Sequence, residues 1–186
     1  MKGSILGIDR SMTSTISNVP DGYQGNVATV KMMIRIAREK SGNNVVRQLA
    51  IKILNDAQTE SHNHLDEAVA IGKWVRDNVK YMKDPHGLEL LQDPLLMIEK
   101  AEKGEARGDC DDMSLLIATL LLAVGIKPYF KVVRWKEKRG NFNHIYIMVF
   151  EKNFRQNANW IALDAIIKDR PIGTELDSMS SELYEV

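Results

Sequence analysis

Residues 108–125 read GDCDDMSLLIATLLLAVG, and this stretch decides the fold. From Met113 onward it is apolar on nearly every side, which predicts a helix buried at the centre of a domain. A polar turn precedes Cys110, and Gly125 provides the stop. The single cysteine of the chain therefore lies in the first turn of a central helix.

The sequence before this stretch is helical in pattern. Apolar residues recur at three- and four-residue steps, which predicts helices over about 26–40, 44–57 and 63–82. Asp93-Pro94 is typical of an N-cap followed by proline at the first helical position, and opens a short helix that ends near Lys100. Residues 1–25 are rich in small polar side chains without a sustained period, so we expect a flexible or extended N-terminal arm.

The sequence after the central helix is typical of strands. Aromatic and β-branched residues, bounded by turn residues, predict strands over 129–135, 142–150 and 160–164. We expect residues 173–186 to be an acidic C-terminal extension outside the domain. Helices followed by an antiparallel sheet predict an α+β fold, with one domain over residues 26–172.

Composition excludes several classes of protein. Lys plus Arg and Asp plus Glu number 25 each, so no net field attracts a polyanion and we expect no nucleic-acid partner. No apolar run reaches the ~18 residues of a membrane span, and the first ten residues lack a signal-peptide pattern. One cysteine excludes an internal disulfide and a cysteine-rich zinc cluster. We expect a cytoplasmic protein without a membrane partner.

Opposing influences act on Cys110. A thiol attacks as its thiolate, and the unpaired N–H groups and positive dipole at a helix start lower a thiol pKa. The same N–H groups can receive the oxyanion of a tetrahedral intermediate. Negative charge acts the other way, and three carboxylates adjoin the cysteine: Asp109, Asp111 and Asp112. The helix start alone is therefore not sufficient to identify a nucleophile.

Two strands supply a histidine and an aspartate on matching faces. Because side chains alternate along a strand, His144 shares a face with Met148, and Asp164 shares one with Trp160. We expect Met148 to pair with Trp160. In that register His144 lies opposite Asp164, with Cβ atoms ~4.5–5.5 Å apart. Cys110 would then be the nucleophile, His144 the base and Asp164 its orienting group, although spacing alone leaves a chance meeting open.

Several motifs in series extend this interpretation. They are Gly108-Asp109-Cys110-Asp111-Asp112, Gly125-Ile126-Lys127-Pro128, Asn143-His144-Ile145-Tyr146 and the strand end Trp160-Ile161-Ala162-Leu163-Asp164-Ala165, preceded by Trp74–Tyr81, Asp84-Pro85 and Gln92-Asp93-Pro94. Over about residues 65–166 the series resembles the transglutaminase-like core, a branch of the papain-fold cysteine enzymes, in its small microbial and phage form.

The resemblance implies roles residue by residue. Cys110 corresponds to the nucleophile, His144 to the base and Asp164 to its orienter. An upstream side chain often assists the cysteine N–H in the oxyanion hole, and Tyr81 and Gln92 are the candidates. The chain lacks the additional β-domains of the animal enzymes, so their calcium regulation is not carried over, and no cofactor is expected.

Membership of this family does not fix the reaction. We expect a cysteine-dependent amide or peptide-bond hydrolase that acts on a peptide or protein through a thioester acyl-enzyme. One alternative is protein-glutamine acyl transfer to an amine, which crosslinks proteins. Another is a non-catalytic interaction module, because the upstream pattern resembles phage and prophage proteins and adds virion components to the expected partners.

Metal ligation is the other chemistry that the sequence raises. His62 and His64 with Asp66 lie at an expected helix start, where such residues commonly cap the helix or stay solvated. The carboxylates around Cys110 lack the loop spacing of an EF-hand calcium site. We therefore expect no metal site.

Overall fold

The computed structural model describes residues 15–16, 23–60, 63–84, 90–134, 143–152, 158–175 and 177–186. Its elements follow in the order β1 (Thr15–Ile16), α1 (Tyr23–Ser41), α2 (Asn44–Asp56), α3 (His64–Asn78), β2 (Lys80–Tyr81), β3 (Leu90–Leu91), α4 (Pro94–Glu102), β4 (Arg107–Gly108), α5 (Cys110–Ala123), β5 (Pro128–Arg134), β6 (His144–Lys152), β7 (Ala158–Leu163) and β8 (Ser180–Glu185). Among the described residues, no helix has the length and apolar character needed to cross a membrane.

Half of the strands that the structure describes belong to one antiparallel sheet. It has four strands in the order β7-β6-β5-β8. Two further sheets have two strands each: β1 pairs antiparallel with β3, and β2 pairs parallel with β4. The helices precede the main sheet along the chain, so the predicted α+β class is confirmed.

Helix α5 is the buried centre of the fold, as its composition predicts. Every residue from Asp112 to Leu121 is buried. The helices α1 to α4 pack around α5, and β5 and β6 pack against it from the sheet. Burying one leucine side chain stabilises a fold by about 1.5–3 kcal/mol. Packing on all sides therefore fixes where α5 begins, and with it the position of Cys110.

A capping side chain sets the start of α4. Asp93 is the N-cap and accepts a hydrogen bond from the Leu95 N–H at 2.8 Å, with Pro94 as the first helical residue, as predicted. Lys40, near the end of α1, forms an ion pair with Asp93 at 3.2 Å. Because an N-cap contributes about 1 kcal/mol, Asp93 both stabilises α4 and joins its start to α1.

The observed β6–β7 register differs from the predicted one by two residues. Met148 pairs with Ala162 and Phe150 with Trp160, whereas the sequence argument paired Met148 with Trp160. The contact between the Phe150 and Trp160 rings, whose centroids lie 4.8 Å apart, favours this register. A shift of two residues leaves every side chain on its predicted face.

The C-terminal residues form an edge of the main sheet, which differs from the predicted extension over 173–186. Strand β8 pairs with β5 from Ser180, opposite Arg134, to Glu185, opposite Tyr129. Val186 follows β8 and is 5% exposed in the main core. Leu183 and Tyr184 are the only apolar residues of the strand, too few for an alternating pattern to indicate it. The sheet therefore continues beyond the predicted boundary at residue 172.

Candidate active site

The start of α5 depends on a close approach between Gly108 and Asp112. A Cβ atom on Gly108 would lie 2.7 Å from the Asp112 Cβ and 2.9 Å from its Oδ2, closer than non-bonded atoms come. Asp109 is the N-cap, and its Oδ1 accepts hydrogen bonds from the N–H groups of Asp111 at 3.0 Å and Asp112 at 3.3 Å. These contacts fix the backbone on both sides of Cys110, the first residue of the helix.

Strand β6 meets the first turns of α5 through the backbone of Ile145. Ser114 Oγ donates a hydrogen bond to the Ile145 carbonyl at 3.1 Å. The Ile145 N–H is hydrogen-bonded to the sulfur of Cys110. Because this N–H belongs to the peptide that follows His144, the thiol lies beside the backbone of His144.

His144 and Asp164 form a buried pair. The His144 Nε2 lies 2.6 Å from the Asp164 Oδ2, and the two side chains are 3% and 9% exposed. Continuing the β6–β7 register would place Asp164 opposite Tyr146, so the contact with His144 is a diagonal one between neighbouring strands. The other carboxylate oxygen, Oδ1, accepts a hydrogen bond from the Ile166 N–H at 3.2 Å. Both oxygens of Asp164 are therefore oriented.

Burial and negative charge raise the pKa of the Cys110 thiol well above its ordinary value. Burial is the largest cause, followed by the carboxylates of Asp111 and Asp109, while the hydrogen bond with the Ile145 N–H lowers the pKa. The thiol donates to Asp111 Oδ1 across 3.3 Å. The thiol is therefore protonated at neutral pH, and a base must remove its proton when it attacks.

The cap residue Asp109 also has a shifted pKa. Burial, and then the negative charges of Asp112 and Asp84, raise the pKa of Asp109 to about 7, although its hydrogen bonds to backbone N–H groups act in the opposite direction. Burial raises the pKa of Asp112 as well. The charge beside Cys110 therefore changes across the neutral range.

Tyr81 is brought next to the cysteine by the short parallel sheet. It pairs with Gly108, and the Met82 N–H donates to the Gly108 carbonyl at 2.9 Å. The side chain is 48% exposed. Burial raises the pKa of its phenol, and the charges of Cys110, Asp109 and Asp111 raise it further. The hydroxyl therefore keeps its proton at neutral pH and can act as a donor near the sulfur.

Gln92, the second predicted oxyanion residue, has other contacts. Its Nε2 donates to Asp112 Oδ2 at 2.7 Å and to the Arg107 carbonyl at 2.8 Å, and its backbone N–H donates to Asp112 Oδ1 at 2.8 Å. Lys100 Nζ donates to the Gln92 Oε1 at 3.0 Å. Both hydrogens of the Gln92 Nε2 are engaged in these hydrogen bonds. Gln92 therefore positions the Asp112 carboxylate.

The sequence analysis did not predict that Asp112 is buried and accepts hydrogen bonds from Gln92. It treated Asp112 only as one more first-turn carboxylate, whereas the side chain is 1% exposed and anchors the segment that leads into α4. The signal was the glycine at 108, one turn before Asp112, since a missing side chain at that distance indicates a close approach. A buried carboxylate of this kind is stable only when its oxygens are hydrogen-bonded.

The family model of the transglutaminase-like superfamily matches residues 47–165. The chain belongs to the transglutaminase-like superfamily. The matched region contains Cys110, His144 and Asp164. A search of the curated proteins gives no match.

A crystal structure similar to this transglutaminase-like chain comes from Cytophaga hutchinsonii and was solved as a candidate cysteine protease. The two sequences are 22% identical, and the structures superpose with a TM-score of 0.49. The aligned region covers 75% of this chain and 42% of that chain. The chain therefore spans less than half the length of that protein.

Within the described residues of this transglutaminase-like chain, one group of side chains brings three metal-ligand atoms within 4.8 Å of one another: Asp109, Cys110 and Asp111. The Asp109 carboxylate already caps α5, and the Asp111 carboxylate accepts the hydrogen bond of the Cys110 thiol. Of the histidines considered from sequence, His62 lies outside the described residues. His64 opens α3, where the Asn63 Oδ1 accepts from the Asp66 N–H at 3.3 Å. These are contacts of a capped helix.

Tyr146 lies beside His144 and belongs to a network that the sequence did not reveal. The two ring centroids are 5.6 Å apart. The Tyr146 hydroxyl donates to Glu175 Oε1 at 3.2 Å, and Lys131 forms an ion pair with the same carboxylate. Burial and the charge of Glu175 raise the pKa of Tyr146. Strand alternation places Tyr146 on the face of His144, but the sequence carries no signal for a partner 29 residues away.

Proposed function

We propose that this protein is a cysteine-dependent amide or peptide-bond hydrolase, with Cys110 as nucleophile, His144 as base and Asp164 as the group that orients His144. The observation that carries the proposal is the buried 2.6 Å contact between His144 Nε2 and Asp164 Oδ2. It lies next to the peptide N–H that is hydrogen-bonded to the Cys110 sulfur. Family membership supports the same chemistry but leaves the reaction and the substrate open.

The proposed reaction follows from the tautomer of His144. Because Nε2 donates its hydrogen to the Asp164 carboxylate, Nδ1 is the nitrogen assigned to take the thiol proton. The sulfur bonds to the substrate carbonyl carbon, and the C–N bond breaks as His144 returns the proton to the leaving amine. Water then attacks the thioester, gives a proton to His144 and releases the acid, and the proton returns to the sulfur.

The negative charge on the carbonyl oxygen needs donors close to the sulfur. The backbone N–H of Cys110 is at the first position of α5, where helix geometry leaves N–H groups without a partner inside the helix. We assign the second donor to the Tyr81 hydroxyl, because β2 pairs Tyr81 with Gly108 and its phenol keeps its proton. The contacts of Gln92 with Asp112 give that residue a positioning role instead.

Alkylation of the single cysteine tests the proposed pair of Cys110 and His144 and requires no known substrate. We expect iodoacetamide at pH 7 to label Cys110, and His144→Ala to slow the labelling about 100-fold, the lower end of general-base effects. His64→Ala removes an exposed histidine at the start of α3 and serves as the control. Rates would be followed by intact-protein mass spectrometry. Equal slow labelling of the wild type and His144→Ala would remove His144 from the mechanism.

A second candidate function, acyl transfer to an amine, is favoured by the carboxylates beside the sulfur. Asp111 Oδ1 lies 3.3 Å from the sulfur, and Asp109 also contributes negative charge there. Such charge favours an ammonium group near the acyl-enzyme. Incorporation of a fluorescent alkylamine into casein, absent in Cys110→Ala, would select transfer. Release of ammonia or new peptide termini without amine incorporation would select hydrolysis.

A further inference from the structure

Strand β3 has one strand partner among the described residues, and that partner is the N-terminal arm. Thr15 pairs antiparallel with Leu91, and Ile16 pairs with Leu90. Strand β1 precedes α1, which begins at Tyr23. Without β1, the backbone edge of β3 on this side would have no strand partner, and such an edge is a template for any extended peptide.

The edge of β3 is joined to the segment that carries the nucleophile. Gln92 directly follows β3, and its backbone N–H donates to Asp112 in the first turn of α5 at 2.8 Å. At the start of β3, the Leu90 N–H donates to Asp84 Oδ2 at 2.6 Å. Asp84 is close enough to Asp109 to raise its pKa, so both ends of β3 are attached to the surroundings of Cys110.

The arm has the composition of a peptide that can pair and be displaced. Residues 11–19 read SMTSTISNV and carry no charge, and the threonine, isoleucine and valine among them are residue types that favour strands. A two-stranded sheet of two residues per strand is marginal by itself. Its occupancy therefore depends on the high local concentration of an attached segment.

We propose that the edge of β3 is a docking site for an extended polypeptide and that the N-terminal arm fills it in cis, so a peptide substrate must displace the arm. Strand addition of this kind takes its affinity from main-chain hydrogen bonds and accepts many sequences. The docking site stands on the β1–β3 pairing alone, whereas its relevance to catalysis rests on the proposed function. The arm then limits access to the strand beside Cys110.

Binding of the arm in trans tests this site in the full-length chain. The background is Cys110→Ala, so no chemistry is required, and the probe is a fluorescein-labelled peptide of residues 10–20. We expect the double substitution Thr15→Pro and Ile16→Pro, which removes both backbone N–H groups of β1, to strengthen peptide binding at least tenfold. Ser4→Pro with Ile5→Pro is the matched control and leaves the affinity unchanged. Fluorescence anisotropy reports the binding.

The outcomes separate this inference from the proposed function. A labelled peptide that carries the same two prolines should not bind either chain. Equal affinity for the parent and the Thr15→Pro, Ile16→Pro chain, or no binding to both, overturns the docking site even if Cys110 is readily alkylated in the wild type. Conversely, tenfold stronger binding together with an unreactive Cys110 keeps the docking site and rejects the thiol enzyme.

Discussion

Cys110 lies where a helix start favours the thiolate and its surroundings oppose it. The hydrogen bond with the Ile145 N–H lowers the pKa of the thiol, while burial, Asp111 and Asp109 raise it by more. The resting sulfur is therefore a thiol, and in the proposed mechanism His144 removes its proton during attack. This differs from cysteine enzymes that keep a preformed thiolate, and it makes the reaction rate sensitive to charge beside the sulfur.

Replacing Asp111 by asparagine should make Cys110 more acidic. Asp111 Oδ1 accepts the thiol hydrogen bond at 3.3 Å, and its charge is the largest cause of the raised thiol pKa after burial. We therefore expect Asp111→Asn to move the pH–rate profile of iodoacetamide labelling to lower pH. Asp66→Asn, in the first turn of α3, is the control for a helix-terminal charge far along the chain. An unchanged profile in Asp111→Asn would contradict this account of the thiol.

The types of the candidate catalytic residues were accessible from the sequence, whereas their supporting contacts were not. Cys110 before an apolar helix, and His144 and Asp164 on matching strand faces, follow from residue type and alternation. Gln92 positions Asp112 through two hydrogen bonds, one from its backbone N–H and one from its side-chain amide, to the same carboxylate. Periodicity carries no information about such a contact, because it depends on how α4 and α5 pack.

At the scale of elements, Gly108 allows β4 to run directly into α5. We expect Gly108→Ala to destabilise the protein by about 1–3 kcal/mol, because the new methyl group would lie 2.7 Å from the Asp112 Cβ. Gly42→Ala is the matched control, since a Cβ there would meet nothing within 4 Å. Urea unfolding followed by circular dichroism gives both values. Equal free energies of unfolding for Gly108→Ala and Gly42→Ala would mean that the start of α5 shifts to make room for the methyl group without a cost in stability.

Substitutions of Gln92 and Asp112 should have non-additive effects on the free energy of unfolding. Gln92→Glu places a second carboxylate against Asp112, and Asp112→Asn leaves one oxygen for two donors. We expect each single change to cost about 1–3 kcal/mol, the range for a buried hydrogen bond left unmade. The double variant should recover at least half of the summed loss, because an asparagine amide can donate to the new carboxylate. Strictly additive losses in urea unfolding would show that the two side chains are not coupled.

The order of elements was predictable because it depends on local patterns, but the strand register was not. The observed pairing continues to Lys152 opposite Ala158, beyond the predicted strand ends at residues 150 and 160. Both registers keep the same faces inside, so burial does not choose between them. Contacts of Trp160 with Phe150 and Tyr129 favour the observed one, and such ring contacts are not visible in a hydrophobic pattern.

For the whole molecule, ionisation near the cysteine links stability to pH. The pKa of Asp109 is raised from 3.8 to about 7 in the folded protein, mainly by burial. Between those values the folded state keeps a proton that the unfolded state has released. The free energy of unfolding therefore falls as pH rises through this window, by at most about 1.4 kcal/mol per pH unit for one group. The raised pKa of Asp112 acts in the same direction.

Asp109→Asn should reduce this dependence while keeping the helix cap, because asparagine is as good an N-cap as aspartate. We expect the free energy of unfolding of the wild type to fall more between pH 4 and pH 7 than that of Asp109→Asn, since only the wild type loses the bound proton on ionisation. Asp77→Asn, at an exposed position of α3, should keep the slope of the wild type. Urea unfolding at several pH values measures the slopes. Equal slopes for the wild type and Asp109→Asn would show that Asp109 is ionised throughout, and the charge beside the thiol would then not change with pH.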